Sequence, residues 1–248
     1  MRRNTDPPLA GRRAFILGGT GGIGRHIARA LGLRGARLDL HGREGRKLDS
    51  ALAEFRGAGI EAEGSAFSLD SLAGTGPLLD RAGAADILVA AWGPFLQKPL
   101  HETAPEEWEA AVAFNLALPG ALVSAALPGM RSRRWGRILL LGGTRTDGIR
   151  GFRTNAAYAA AKTGLGVLAK SIALEYARDG IAALVLCPGF VRTEYLTPET
   201  LEGLAAKTPG GSLTDPGVFG DLAADLLCRD PPLWNGGILT ADEGLAAW

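Results

Sequence analysis

Short apolar runs recur along the chain at Ala14 to Leu17, Ala36 to Leu40, Ile87 to Ala91, Ile138 to Leu141 and Ile181 to Leu186. Longer stretches of helical periodicity separate them. Strands apolar on both faces and alternating with helices imply a parallel sheet covered on each side, so the pattern predicts an α/β, doubly wound fold. Several helix limits are legible. Gly57 and Gly59 close a helix over 46–56, and Pro105 followed by Glu106 and Glu107 opens another. Thr214 or Asp215 can cap a late helix that starts at Pro216. Between the last long apolar run and that helix, residues 190–214 are rich in Thr, Pro and Gly, which suggests a mobile flap over a site.

Composition narrows the class of function. A chain of 248 residues, 46% hydrophobic, can bury a substantial core, and one domain spanning 1–248 is expected. The formal net charge of +1 supplies no basic excess to hold a phosphate backbone, so small molecules are expected as partners and nucleic acid is not. Cys187 and Cys228 lack metal-ligand spacing; no metal site is expected, and reduced thiols fit a cytoplasmic protein. The opening MRRNTDPPLAGRRAFILGG places charge before an apolar run, but that run flows straight into glycines and reads as a first strand. No stretch reaches the roughly eighteen apolar residues needed to cross a bilayer, so no membrane association is expected.

Two motifs carry chemistry. In ILGGTGGIGRHIARALGLRG a strand, a glycine-rich turn and a helix follow one another. Gly18, Gly22 and Gly24 let the backbone turn tightly and approach a pyrophosphate, whose charge meets the free N–H groups of a helix beginning near Ile23. The plain alternative is a strand-to-helix turn that binds nothing. Further on, Tyr158 and Lys162 stand four apart in an alanine-rich helical segment and so share one face. A cation near a phenol favours phenolate, which would draw the tyrosine from its ordinary value near 10 toward neutral pH. A surface pair of no consequence is the alternative.

The spacing G-x-x-x-G-x-G, with Y-x-x-x-K placed after the fifth sheet strand, resembles the short-chain dehydrogenase/reductase family. The likeness runs over nearly the whole chain: ADILVAAWG resembles the fourth strand, VAFNLALPG the helix asparagine, CPGFVRTE the Pro-Gly turn and GGILTADEG the last strand. The resemblance implies a Rossmann-type sheet of about seven strands. It also implies Tyr158 as general acid, Lys162 lowering its pKa and binding the nicotinamide ribose, and Asn115 holding a water in a proton relay. The dinucleotide would lie on Gly18, Thr20, Gly21, Gly22, Ile23 and Gly24, then along Ser68, Leu69, Ala91 and Gly93, with Pro188, Gly189, Val191 and Thr193 at its nicotinamide end. In ARLDLHGRE the family's acidic position falls on Gly42 and the next on Arg43, which favours NADP(H) over NAD(H), since an arginine pairs with a 2′-phosphate. Asp39 is the rival carboxylate, but it lies inside the strand, where local hydrogen bonds should satisfy it; Asp86 is read as bracing its own strand.

The chain departs from the family at two places. Ala90 and Ala91 replace two asparagines, which puts Trp92 at the cofactor edge. Gly143 stands where a serine would polarise the substrate carbonyl; Thr144 carries the same hydroxyl and is the expected substitute, with Thr146 a weaker one. Arg145, Arg150 and Arg153 in the same loop suggest an anionic or carrier-linked substrate, or else a solvated basic loop. The expected function is NADPH-dependent reduction of a ketone, with a 3-oxoacyl thioester the nearest named substrate. An NADP-binding regulator that has lost turnover and an NAD-dependent alcohol dehydrogenase are the alternatives. The family resemblance further implies a homodimer or homotetramer joined through the helices bearing Asn115 and Tyr158.

Overall fold

The computed structural model describes residues 6–245. The apolar runs form the middle of one seven-stranded parallel sheet: β1 (Arg13–Leu17), β2 (Arg37–Gly42), β3 (Ala62–Ala66), β4 (Ile87–Ala90), β5 (Gly136–Leu141), β6 (Ile181–Pro188) and β7 (Ile238–Ala241), in the order β3-β2-β1-β4-β5-β6-β7. The order reverses between β1 and β4, which pair with Ile16 opposite Val89. At such a reversal the chain leaves the two strands in opposite directions, and a crevice opens beyond their carboxyl ends.

Helices cover both faces, as alternating runs require. α1 (Gly22–Leu33), α2 (Gly45–Gly57) and α8 (Pro216–Leu227) pack on one side, and α3 (Gly76–Gly83), α5 (Leu118–Arg133) and α6 (Ala156–Tyr176) on the other. Successive side chains of a strand enter opposite cores: Ile16 joins the first, Phe15 and Leu17 the second, and all three are fully buried. Each such burial contributes about 1.5–3 kcal/mol. α4 (Pro105–Val112) runs through a π-helical turn (Ala113–Ala117) into α5, and α7 (Pro198–Ala205) lies within 190–214.

The structure corrects or narrows four readings of the sequence. β3 was not located by pattern, because AEGSA is an edge strand in which only Ala62 is buried. Asp215, not Thr214, caps α8, its carboxylate accepting from Gly217 N at 2.8 Å. The helical stretch Pro105–Arg133 is long and apolar enough by composition to cross a membrane, contrary to expectation. Its residues Leu118, Leu122, Val123, Ala126 and Met130 are buried in the second core. Asp39 is satisfied, but by distant partners: Arg13 Nη2 at 2.7 Å and the Arg81 guanidinium, both brought alongside by the sheet.

Candidate active site

Beyond the carboxyl ends of β1, β2, β4, β5 and β6 lies an open cleft of about 980 Å³. The glycine turn forms its floor. Gly18 adopts φ +81 and lies against Trp92, whose Cβ would stand 2.7 Å from an added Cβ; at Gly24 an added Cβ would run into the Gly18 carbonyl. Only glycine lets strand, turn and helix approach this closely. Gly18, Thr20, Gly21, Gly22 and Ile23 all line the cleft, while Gly24 packs behind them. Gly21, at the head of α1, has no side chain to cap it, and the first turn carries no acid. The Gly22 N–H instead donates to Glu194 Oε1 at 2.9 Å, from 172 residues away.

At the end of β2, His41, Gly42, Arg43, Glu44 and Lys47 form the next wall. A Cβ at Gly42 would collide with the Thr20 side chain, so any carboxylate there requires Thr20 to move. Arg43 is exposed at the cleft edge, and Lys47 pairs with Glu44 at 2.9 Å. His41 is buried, and burial lowers its pKa. Ser68 and Leu69 follow β3 but do not reach the cleft: Ser68 is exposed, and Leu69 is buried in the second core.

At the end of β4, the backbone of Ala91 donates to Leu17 O at 3.0 Å, so the strand end is tied without the absent asparagine side chains. Ala91, Trp92 and Gly93 line the cleft. Asn115 sits in the π-helical turn, fully buried, its Nδ2 donating to Pro94 O at 3.0 Å. Its Oδ1 lies against Gly93 and has no hydrogen-bond partner among the described residues. Such turns widen a helix by one residue and turn a side chain out of register.

The loop after β5 separates the two threonines. Thr144 lines the cleft, its hydroxyl donating to Gly189 O at 3.2 Å. Thr146 is buried; its hydroxyl accepts from Gly143 N at 2.8 Å and donates to Gly143 O at 3.0 Å. A Cβ on Gly143 would fall 3.1 Å from the Tyr158 Oη, so the glycine faces the phenol directly. Of the three loop arginines, only Arg145 lines the cleft, with a left-handed backbone at φ +62. Arg150 pairs with Asp147 at 3.1 Å and Arg153 is exposed away from it, so no cluster of three converges.

Tyr158 lines the cleft, edge-on to Phe95 with ring centroids 5.0 Å apart. Lys162 is fully buried one turn along, its Nζ donating to Leu141 O at 2.8 Å and lying 5.8 Å from the Tyr158 ring centroid. Burial pushes the phenol up to about 12, with Cys187 adding to the rise, and brings the ammonium down to about 8. The expected lowering of the Tyr158 pKa is thus corrected. Removal from water is the larger cause for each group.

Pro188, Gly189, Val191 and Thr193 line the opposite wall, with Phe190, Tyr195, Leu196, Leu204 and Lys207 beyond them. Sequence reasoning did not single out His41, Lys47, Glu194, Tyr195 or the rings of Phe95, Phe152 and Phe190. Their only shared signal is spatial.

The family model described as short chain dehydrogenase matches residues 12–202. A D-beta-hydroxybutyrate dehydrogenase of Cupriavidus necator is 32% identical over 260 residues, covering 96% of this chain and 99% of the relative. A crystal structure of a 3-oxoacyl (acyl-carrier-protein) reductase from Agrobacterium tumefaciens with NADP bound superposes with a TM-score of 0.88 at 27% identity, covering 98% and 97% of the two chains. A gluconate 5-dehydrogenase from Burkholderia cenocepacia in complex with NADP and tartrate gives a TM-score of 0.85 at 29% identity, covering 98% of each.

Proposed function

Because the chain belongs to the short-chain dehydrogenase family, whose members interconvert hydroxyl and carbonyl groups with a nicotinamide dinucleotide, we propose that it reduces a ketone to an alcohol using NADPH. The observation that carries this reading is Tyr158. A phenol held near pKa 12 on the cleft wall stays protonated at neutral pH and serves as a proton donor.

The glycine turn fits the dinucleotide, because Gly18, Gly21 and Gly22 bring bare backbone to the cleft wall at the head of α1, while Gly24 lets strand and helix pack closely behind it. Gly18 to Ile23 would hold the pyrophosphate, and Arg43 the 2′-phosphate, Gly42 leaving the place of a competing carboxylate empty of side chain. When bound, the nicotinamide supplies the hydride. Tyr158 gives its proton to the carbonyl oxygen, and the Thr144 hydroxyl turns from Gly189 O to orient that oxygen. Lys162 stabilises the phenolate left behind and binds ribose, and the unpartnered Asn115 Oδ1 holds the water that returns the proton.

We read the substrate as an anionic or carrier-linked 3-oxo compound. Arg145 and Lys207 lie on a cleft wall otherwise built from Phe95, Phe152, Phe190 and Leu196, and the relative from Cupriavidus necator is named for a hydroxy acid. Residues 190–214 act as the flap over it within one domain. The enzyme is read as cytoplasmic and as a homodimer or homotetramer.

The test is a screen of ketones and acyl thioesters for NADPH oxidation, with Tyr158→Phe and Arg43→Ala alongside. Tyr158→Phe should lower kcat by about 10²–10⁴ with dinucleotide binding kept. Arg43→Ala should weaken NADPH about tenfold and leave NADH unchanged. If Tyr158→Phe turned over at the wild-type rate, a non-catalytic NADP-binding role would replace this one; if NADH bound more tightly than NADPH, an NAD enzyme would.

A further inference from the structure

We propose that Glu194 is an internal anion that competes with the dinucleotide's pyrophosphate for the head of α1, latching the 190–214 segment onto the glycine turn until the cofactor displaces it. The inference rests on the dinucleotide reading above and adds a regulatory contact to it.

A helix leaves its first N–H groups without intrahelical acceptors, and the positive end of its dipole favours an anion there. In most helices a residue just before the first turn meets that demand. Here it cannot. Gly21 has no side chain, and the first turn of α1 holds no acidic residue. The anion comes instead from the far wall, where Glu194 accepts from Gly22 N at 2.9 Å. The same Oε1 also lies over Gly21, 2.8 Å from where a Cβ there would stand.

Tyr195 reinforces the latch. Its ring lies over the turn, its Cε2 3.1 Å from where a Gly22 Cβ would stand, and its hydroxyl occupies the space above Gly21. Lys47, from α2, holds the outer face of that ring at 5.2 Å from its centroid. Both flap residues are exposed on their other sides, so nothing in the core fixes them. Their neighbour Thr193 lines the cleft, and movement of Glu194 off the turn carries Thr193 with it.

A carboxylate and a phosphate oxygen cannot accept from the same N–H at once. Binding of the dinucleotide therefore opens the latch, and closing it helps expel the oxidised product. A capping contact of this kind changes an equilibrium by about three- to tenfold.

The experiment is titration of the full-length protein with NADPH and NADP+, reading tryptophan fluorescence, for wild type, Glu194→Gln and Glu194→Ala, with limited proteolysis of 190–214 in parallel. Glu194 is on the surface, so both variants should fold, as their thermal melts will show. Glu194→Ala should bind both dinucleotides about three- to tenfold more tightly, Glu194→Gln should fall between it and wild type, and the segment should be cleaved faster in the unliganded variants. Unchanged or weaker binding by Glu194→Ala, with wild type binding normally, overturns the latch alone. If wild type binds neither dinucleotide, the cofactor reading falls and the latch with it.

Discussion

Lys162 sets a conflict between stability and chemistry at a single residue. Fully buried, it titrates near 8 in the folded chain against an ordinary 10.5, a cost on the order of 3 kcal/mol while the ammonium stays charged. Between those values the unfolded chain holds more protons, so stability should rise with pH from about 8 to about 10, where the raised Tyr158 begins to act in the opposite sense. Lys162→Met keeps the length and removes the charge. It should unfold about 1–2 kcal/mol less readily at pH 7, after the loss of the bond to Leu141 O, and its advantage should shrink across that pH window while turnover is abolished. Urea melts at several pH values check this; a gap independent of pH would show that the ammonium is not the cost. The two threonines should separate in the same way. Thr144→Val should lower kcat/KM about 10²-fold at unchanged stability, because its hydroxyl faces the cleft. Thr146→Val strips Gly143 N of its acceptor and should cost about 1–3 kcal/mol instead. The reverse pattern would assign the carbonyl contact to Thr146.

At the scale of elements, what was legible follows from periodicity and punctuation. Four of the five central strands are apolar on both faces, β2 carries Leu38 and Leu40 on one face only, and each of the five was found within two residues at either end. Pro216 behind Asp215 marked α8, and removal of that cap by Asp215→Ala should cost about 1 kcal/mol, read as a fall of about 2–4 °C in Tm. An unchanged melt would mean that water meets the Gly217 and Val218 N–H groups as well as the carboxylate does. β3 escaped because an edge strand half open to water needs no apolar run. The π-helical turn escaped because nothing in VAFNLALPG announces one extra residue per turn, yet it is what turns Asn115 inward. Tyr158, Lys162 and the glycine turn were readable because each motif is local in sequence. Glu194 was not, since its meaning depends on a partner 172 residues away. Arg150 failed for the opposite reason: a neighbour three residues back, Asp147, had already taken it.

For the whole molecule, the outer face of α6 poses a question that one chain does not answer. Val167 and Leu174 stand seven residues apart, two turns along one side, and are 70% and 88% exposed, while Val112 on α4 beside them is also open. The inner face of the same helix holds Leu165, Ala169 and Ile172 in the second core and positions Tyr158 and Lys162. A helix apolar on both sides is costly in water unless its outer side is covered, and the homodimer or homotetramer proposed above covers it with a second copy of α6. Val167→Glu and Leu174→Glu together place like charges face to face across such a contact, since at a two-fold interface each of the two positions meets its own copy or the other's. Sedimentation at micromolar concentration should show wild type as a dimer or larger and the double variant as a monomer. The Tm of wild type should fall on dilution and that of the variant should not, because only an associating chain gains stability from its own concentration. A wild type that sediments as a monomer would remove the proposal, and would leave α6 as an exposed apolar stripe with no partner of its own kind.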